Sequence, residues 1–214
     1  MIYISFSMKK IKLIITFVIF GLAFICHFMY DFIPIEFFKV FFPVNESIWE
    51  HMKLLITPVL IGSLFEYIYY IRKGIKVNNF ILGYTISIII GIILYLGIYL
   101  PIHMTIGHNA IIAIGLLLVV YFVMELISYY FITRNKVNCG NYIGIILIIL
   151  IYGICYYLTN HPGDSTIFYD KNIKWIGLRV KKKSKLKWYN WIFLLIFIIF
   201  LIFASWIIWM SHFY

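Results

Sequence analysis

Long apolar stretches are the feature that most restricts what this chain can fold into. A transmembrane helix needs about 20 consecutive, mainly apolar residues. Six stretches reach that length, and they cover residues 11–32, 51–71, 80–100, 109–133, 141–158 and 188–210. We therefore predict an all-α polytopic transmembrane bundle with five core spans and a sixth, C-terminal span. The single domain comprises residues 1–214, with a core of about 9–170 followed by a basic linker and the extra span at about 171–214.

The composition excludes a soluble protein. Of the 214 residues, 64% are hydrophobic and 12% are charged, whereas soluble domains carry about 25% charged residues. The formal net charge of +10 does not indicate nucleic acid binding, because lysine and arginine lie in short loops beside the apolar stretches. There they set topology and contact anionic lipid headgroups. The predicted partner is the lipid bilayer, and the predicted location is the cell membrane; frequent Ile, Phe, Tyr, Lys and Asn are typical of AT-rich bacterial genomes. The sequence does not indicate an oligomeric state.

A short aromatic segment, residues 34–43, lies between the first two apolar stretches. It is too short to cross a membrane, and it contains four phenylalanines together with Glu36 and Lys39 three residues apart. This pattern predicts a short interfacial helix whose rings enter the boundary of the acyl chains.

The densest polar segment of the chain, residues 45–53, opens the second span. Ser47 and Glu50 have the spacing of a capping box, in which the serine hydroxyl accepts the amide of residue 50 and the glutamate returns to the amide of residue 47. Glu46, Glu50 and Lys53 would share one helical face. Capping does not require His51, so a functional interpretation stays open beside the structural one.

The same region carries a family resemblance. Residues 41–54, Phe-Phe-Pro-Val-Asn-Glu-Ser-Ile-Trp-Glu-His-Met-Lys-Leu, resemble the signature of a family of small bacterial polytopic membrane proteins, a domain of unknown function. The motif Asn-Glu-Ser-x-Trp-Glu-His-x-Lys fixes seven positions. The resemblance extends from His27 to the loop 161–170, and the chain beyond Arg179 is an addition to the family pattern. The resemblance implies a shared membrane fold with this polar segment at the second helix, and no activity.

Histidines and carboxylates recur at the ends of the apolar stretches. His27 and Asp31 are four residues apart near the end of the first stretch, so they project from one helical face. Successive spans run in opposite directions. The ends of spans one, three and five and the starts of spans two and four therefore share one membrane face. Those ends carry His51, His103, His108 and His161. Histidine with carboxylate is the usual donor set for zinc or another divalent metal, and also for general acid and base catalysis.

These positions predict one polar site on a membrane face. The predicted catalytic residues are Glu46, Glu50 and His51. The predicted metal ligands, for a divalent ion such as zinc, are His27, Asp31, His51 and His161. The predicted substrate-binding residues are Asn45, Trp49, Lys53 and His108. The chain has no His-Glu-x-x-His motif to fix the ligand geometry.

Two further acids, Glu66 and Glu125, lie within the second and fourth spans. Fifteen residues of helix separate Glu66 from His51, or roughly 22 Å, so the two cannot share one metal. A carboxyl in the hydrocarbon region costs about 2.5 to 3.5 kcal/mol by insertion scales. Either the acids pair with Arg72 and Arg134 near the headgroups, or they line a path for ions or protons.

Three functions therefore stay open. The first is a metal-dependent hydrolase acting on a lipid or a small molecule at the membrane face. The second is a transporter or channel subunit for ions or small molecules that uses the two intramembrane acids. The third is a non-catalytic partner protein. Basic residues at 9–12, 72–76 and 134–136 favour a site facing outward by the positive-inside rule, while the basic run 179–187 favours the reverse.

Overall fold

In the computed structural model the protein consists of helices joined by turns and loops, without strands, over the part that the structure describes, residues 2–168, with side chains described for residues 8–168. Five long helices are connected by short segments. They are α1 (Ile2–Phe32), α4 (Thr57–Arg72), α5 (Phe80–Ile106), α6 (Ala110–Ile132) and α7 (Gly140–Asn160). The short elements are α2 (Phe38–Phe41), α3 (Ile48–His51) and the 3₁₀ turns Met52–Leu55 and Thr166–Phe168.

Five segments are long and apolar enough to cross a membrane. They are Met8–Phe32, Ile48–Arg72, Phe80–Ile106, Ala110–Ile132 and Gly140–Asn160. The prediction of an all-α chain with five such core helices is confirmed to this extent. The sixth stretch, 188–210, and the basic run 179–187 lie outside the described residues. Helix α2 occurs inside the aromatic segment 34–43, and its place at the membrane interface stays a prediction.

The chain divides into two compact units. The first unit contains residues up to 20 and residues 59–148, and the second contains residues 21–58 and the described residues from 149 onward. The single domain of residues 1–214 stays a prediction.

Close helix packing in the first unit depends on glycine. A Cβ atom at Gly91 would lie 2.5 Å from Met124 Sδ, and one at Gly144 would lie 2.9 Å from the backbone nitrogen of Leu82. Small residues allow such approaches, which supply the van der Waals contacts that hold helices together in a membrane. Any larger side chain at Gly144 would push α7 away from the start of α5, because the obstacle there is backbone.

A loop asparagine joins two interhelical connections of the same unit. Asn79 has a left-handed backbone, with φ 49°, a conformation that asparagine tolerates better than most residues. Its Oδ1 accepts from the Val137 amide at 2.7 Å, and its Nδ2 donates to the Asn135 carbonyl at 2.9 Å. The loop before α5 is thereby tied to the loop before α7.

The second unit is organised around the segment between α1 and α4. Thr57 Oγ1 donates to the Phe41 carbonyl at 2.6 Å, and the Tyr152 hydroxyl lies 3.0 Å from Thr57 Oγ1. Since the only proton of Thr57 goes to Phe41, Tyr152 is the donor in the second contact. The Phe41 and Tyr152 rings also meet edge to face, with centroids 4.9 Å apart. These contacts hold the aromatic segment against α7.

The capping box is confirmed in one half and wrong in the other. Ser47 is the N-cap of α3, and its Oγ accepts the Glu50 amide at 3.3 Å. The Glu50 carboxylate does not return to the Ser47 amide. It accepts from the Val44 amide at 3.0 Å, while the Ser47 amide donates to Asn45 Oδ1 at 2.9 Å. Lys53 holds the Glu50 carboxylate away from the cap, at 2.6 Å.

Ser47→Ala is expected to lower the free energy of unfolding by about 1 kcal/mol, because the Glu50 amide loses its acceptor. Ser47→Gly is the matched control and should cost only a few tenths of a kcal/mol, since glycine is tolerated at N-caps. Denaturant titration of the purified variants in detergent measures both. A Ser47→Ala variant as stable as the wild type would show that the cap does not stabilise α3.

Candidate functional site

Two histidines and a glutamate of the second unit converge on one point. His27 Nε2 lies 3.7 Å from Glu46 Oε2, and His51 Nε2 lies 3.5 Å from the same oxygen. The possible ligand atoms of the three side chains are all within 4.8 Å of one another. The two imidazole rings meet edge to face, with centroids 5.1 Å apart. We call these three residues the His27–Glu46–His51 group.

Three different elements supply the group. His27 projects from the last two turns of α1, and His51 is the final residue of α3. Glu46 precedes the N-cap, where the turn closed by Asn45 frees its side chain from the helix. The group thus joins the first span to the entrance of the second.

The orientation of His51 fixes which nitrogen faces the group. Its Nδ1 lies 2.7 Å from the Ser47 carbonyl oxygen, which can only accept, so Nδ1 carries a proton and donates. In the neutral ring Nε2 then carries the lone pair, and this atom faces Glu46. A backbone carbonyl on the other ring nitrogen is the usual way in which proteins orient a metal-binding histidine.

Two acceptors therefore face one another in this group. The lone pair of a neutral His51 and a carboxylate oxygen of Glu46 repel unless a positive charge lies between them. That charge is either a proton on Nε2 or a metal cation. The separations of 3.5 and 3.7 Å are long for hydrogen bonds. Ligand atoms at 2.0–2.2 Å from a tetrahedral zinc lie roughly 3.3–3.6 Å apart, so the spacing is close to that of a metal site.

Water has access to the group from one side. The Glu46 side chain is 46% exposed, while the side chains of His27 and His51 are 24% and 23% exposed. His27 stacks on Phe28 with centroids 4.6 Å apart, and its Nδ1 is buried with no hydrogen-bond partner in the described region. The ring is therefore oriented by packing, in contrast to that of His51.

Glu50 and Lys53 form a separate, fully buried ion pair. Lys53 Nζ donates to Glu50 Oε2 at 2.6 Å, to the Lys39 carbonyl at 2.6 Å and to Thr159 Oγ1 at 2.8 Å. Thr159 in turn donates to Glu50 Oε1 at 2.6 Å. The two charged residues are 2% and 0% exposed. Glu50 and Lys53 are thus occupied in structural contacts away from solvent, and the structure does not bring them into the His27–Glu46–His51 group.

Other residues predicted for the site have local contacts. Asn45 Oδ1 closes the turn before α3, and the Trp49 ring packs on Phe168 with centroids 5.6 Å apart. Asp31 lies one turn beyond His27 on α1 and does not belong to the group of three. His161 is exposed, stacks on Tyr157 at 4.8 Å and places Nδ1 3.2 Å from the Tyr157 carbonyl.

His103 and His108 belong to the first unit. His108 Nδ1 lies 3.0 Å from the Tyr99 hydroxyl. The His103 ring lies 5.7 Å from the Tyr99 ring and 6.4 Å from the His108 ring, measured between centroids. These contacts order the end of α5 and the turn that follows it.

The intramembrane acids meet in a second polar centre, inside the first unit. Lys12 Nζ lies 2.9 Å from Glu66 Oε2 and 2.9 Å from Glu125 Oε2. It also donates to Ser128 Oγ at 2.6 Å and contacts the Tyr84 hydroxyl at 3.2 Å. Of the two alternatives for these acids, pairing with Arg72 and Arg134 near the headgroups is not what the structure shows, because both acids contact Lys12. We call Lys12, Glu66, Tyr84, Glu125 and Ser128 the Lys12 cluster.

Sequence reasoning missed Lys12 because it was grouped with Lys9 and Lys10 as a loop residue that sets topology. The structure exposes Lys9 and Lys10 and buries Lys12, which is 5% exposed. A signal was present: Lys12 already lies inside the first apolar stretch, and two intramembrane acids need a counter-charge.

In length and composition, the five long apolar helices of the described residues are compatible with a polytopic membrane protein. The chain belongs to DUF6512, a family of unknown function, whose sequence model matches residues 1–178. The resemblance to a family of unknown function is thereby confirmed. The match ends before the basic run 179–187 and the sixth apolar stretch. Comparison with curated proteins and with solved structures finds no match in either case.

Proposed function

We propose that this protein is a membrane metalloprotein that binds one divalent ion, such as zinc, through His27, Glu46 and His51. The observation that supports it most is the convergence of three ligand atoms within 4.8 Å. The Nδ1 of His51 donates to a carbonyl, so the lone pair of Nε2 faces the group and can bind a metal. Two imidazoles and one carboxylate are a donor set that zinc and related divalent ions accept.

The reaction class that best fits such a centre is hydrolysis of a lipid or a small molecule at the membrane face. Three protein ligands leave a fourth position open, which is typical of catalytic rather than structural zinc sites. His27, Glu46 and His51 would hold such an ion, and when bound it would supply the positive charge that activates water as a nucleophile at neutral pH. The exposure of Glu46 supports access for water and substrate. Asp31, one turn beyond His27, is the acid that we assign as general base.

Metal content tests the proposal. The purified full-length protein is expected to hold one zinc per chain after dialysis, measured by elemental mass spectrometry. Glu46→Gln and His51→Ala should each weaken zinc affinity by more than roughly 100-fold. Removal of a residue that only orients a ligand typically lowers metal affinity by roughly 10- to 100-fold. The matched control is His161→Ala, which removes an exposed histidine outside the group and should keep one zinc.

Two outcomes would contradict the metal site. One is wild-type protein without a stoichiometric divalent ion after incubation with zinc, manganese, cobalt or nickel. The other is equal loss of metal from His161→Ala and His51→Ala. Thermal midpoints are measured in parallel, and those of Glu46→Gln and the wild type should agree in the absence of metal, because Glu46 is half exposed.

A further inference from the structure

The Lys12 cluster has two acids for one base, all out of contact with water. The side chains of Lys12, Glu66 and Glu125 are 6%, 0% and 2% exposed. Throughout residues 8–168, Lys12 is the one cation within ion-pair distance of either carboxyl group. If both acids were ionised, the cluster would keep an uncompensated negative charge in the membrane interior, which is strongly unfavourable.

The hydrogen bonds distinguish the two acids. Glu66 accepts from Lys12 and Tyr84 at Oε2 and from Tyr70 at Oε1, so both of its oxygens are satisfied as an anion. Glu125 Oε1 is buried and has no hydrogen-bond partner in the described region. Glu66 is therefore the natural counter-ion of Lys12. Glu125, an almost completely buried side chain of the cluster, has an oxygen that no neighbouring donor satisfies.

The Tyr84 hydroxyl supplies an independent argument. It has one proton and contacts Glu66 Oε2, so it can donate to only one of the two carboxyl groups at a time. The Tyr84 oxygen also lies 3.2 Å from Glu125 Oε2. When the tyrosine proton goes to Glu66, this second contact is favourable only if Glu125 itself carries a proton. Ser128 does not replace Tyr84 as a donor to the Glu125 carboxyl group, because the shorter hydrogen bond of Ser128 Oγ is to the Glu125 backbone carbonyl, at 3.0 Å.

We propose that Glu125 is an intramembrane proton-binding site, which takes up and releases one proton beside the fixed Lys12–Glu66 ion pair. The ligand is the proton itself: the carboxylate gains it from water to become the neutral acid and returns it to water. The groups that face Glu125 are Lys12 from α1, Glu66 from α4, Tyr84 from α5 and Ser128 from its own helix α6. Such a site is what a proton-coupled transporter requires in its interior. The proposal is independent of the metal site.

Infrared difference spectroscopy of the full-length protein in lipid vesicles tests this assignment. A pH change is expected to produce a carbonyl band of a protonated carboxylic acid that shifts in heavy water. Glu125→Gln should abolish the band, because glutamine has the shape of the neutral acid without its proton. Tyr70→Phe is the control, since it removes a hydrogen bond to Glu66 alone, and it should keep the band.

The outcomes separate cleanly. Persistence of the band in Glu125→Gln overturns the proposal, as does the absence of any protonated-acid band in the wild type across the pH range. Glu66→Gln should lower the pH at which the band appears, because Glu125 then becomes the counter-ion of Lys12. If that variant does not fold, Tyr70→Phe keeps Lys12 and both acids, and it should keep the band at the wild-type pH. Suppression of the band by sodium ions at constant pH would make the ligand a metal cation and also overturn the proposal.

Discussion

Lys53→Met is expected to lower the free energy of unfolding by about 3–5 kcal/mol, because breaking a buried ion pair leaves an uncompensated charge in the interior. Lys53 is 0% exposed, and its ammonium group satisfies Glu50, Thr159 and the Lys39 carbonyl at once. Methionine fills the same space without any of these hydrogen bonds. Denaturant titration in mixed micelles measures the loss.

Lys39→Met is the matched control for this prediction. Lys39 also forms an ion pair three residues apart, with Glu36 at 2.7 Å, but the Glu36 side chain is 77% exposed and water can replace the lysine. Its loss should cost about 1 kcal/mol or less. The double variant Lys53→Met with Glu50→Gln should recover part of the stability, since it removes the stranded charge. Equal stability of the two single variants would mean that the Glu50–Lys53 pair does not hold this segment.

The number and type of the long helices could be predicted because a membrane imposes one simple requirement. A span must be long, apolar and hydrogen-bonded within itself, and each of these properties can be recognised in a local window of sequence. Two boundaries are less accurate. The third span was predicted to end at Leu100, whereas α5 continues to Ile106. The other is the start of the second span. The sequence placed its start at His51, whereas the structure has α3, a 3₁₀ turn and then α4 from Thr57. Polar residues at an N-terminus obscure where the helix begins.

The contacts of the polar segment could not be predicted from spacing alone. A continuous helix would have placed Glu46, Glu50 and Lys53 on one face. Instead Glu46 precedes the N-cap and contacts His27 and His51, while Glu50 contacts Lys53. The reason is tertiary: the acceptors that hold Lys53 come from Lys39 and Thr159, 14 and 106 residues away in the chain. No local pattern contains that information.

The candidate site was predicted better by chain direction than by motif. The expectation that consecutive spans return to the same face pointed to the end of span one and the start of span two, and the structure places His27 and His51 5.1 Å apart between ring centroids. The same reasoning included His161, which stacks on Tyr157 outside the group. Chain direction fixes the level of a residue in the membrane, whereas the side of the helix on which it lies depends on packing. The metal itself stays a proposal.

The burial of Lys12 also changes the argument about topology. A lysine inside the bundle does not contact lipid headgroups, so it should not be counted in the positive-inside rule. Lys9 and Lys10 are exposed and still count. An outward-facing site stays a prediction, supported by these two residues and by the loops at 72–76 and 134–136.

Lys12→Met is expected to cost about 3–5 kcal/mol of unfolding free energy, because Glu66 and Glu125 lose their shared cation. Both carboxyl groups lie 2.9 Å from the same ammonium nitrogen, so without it they repel one another when ionised. Acid neutralises them by protonation. The loss of stability should therefore grow as the pH rises and shrink as it falls, and unfolding curves of the variant at several pH values measure this trend.

The exposed Lys9 is the control for a lysine at the start of the first span, and Lys9→Met should change stability by less than about 0.5 kcal/mol. Adding Glu66→Gln to Lys12→Met should restore part of the stability, because one carboxyl group then remains and can be held as the neutral acid. It should also flatten the dependence on pH, since the repulsion between two anions is gone. A Lys12→Met variant as stable as Lys9→Met at high pH would contradict the role of Lys12 as the shared cation of the cluster.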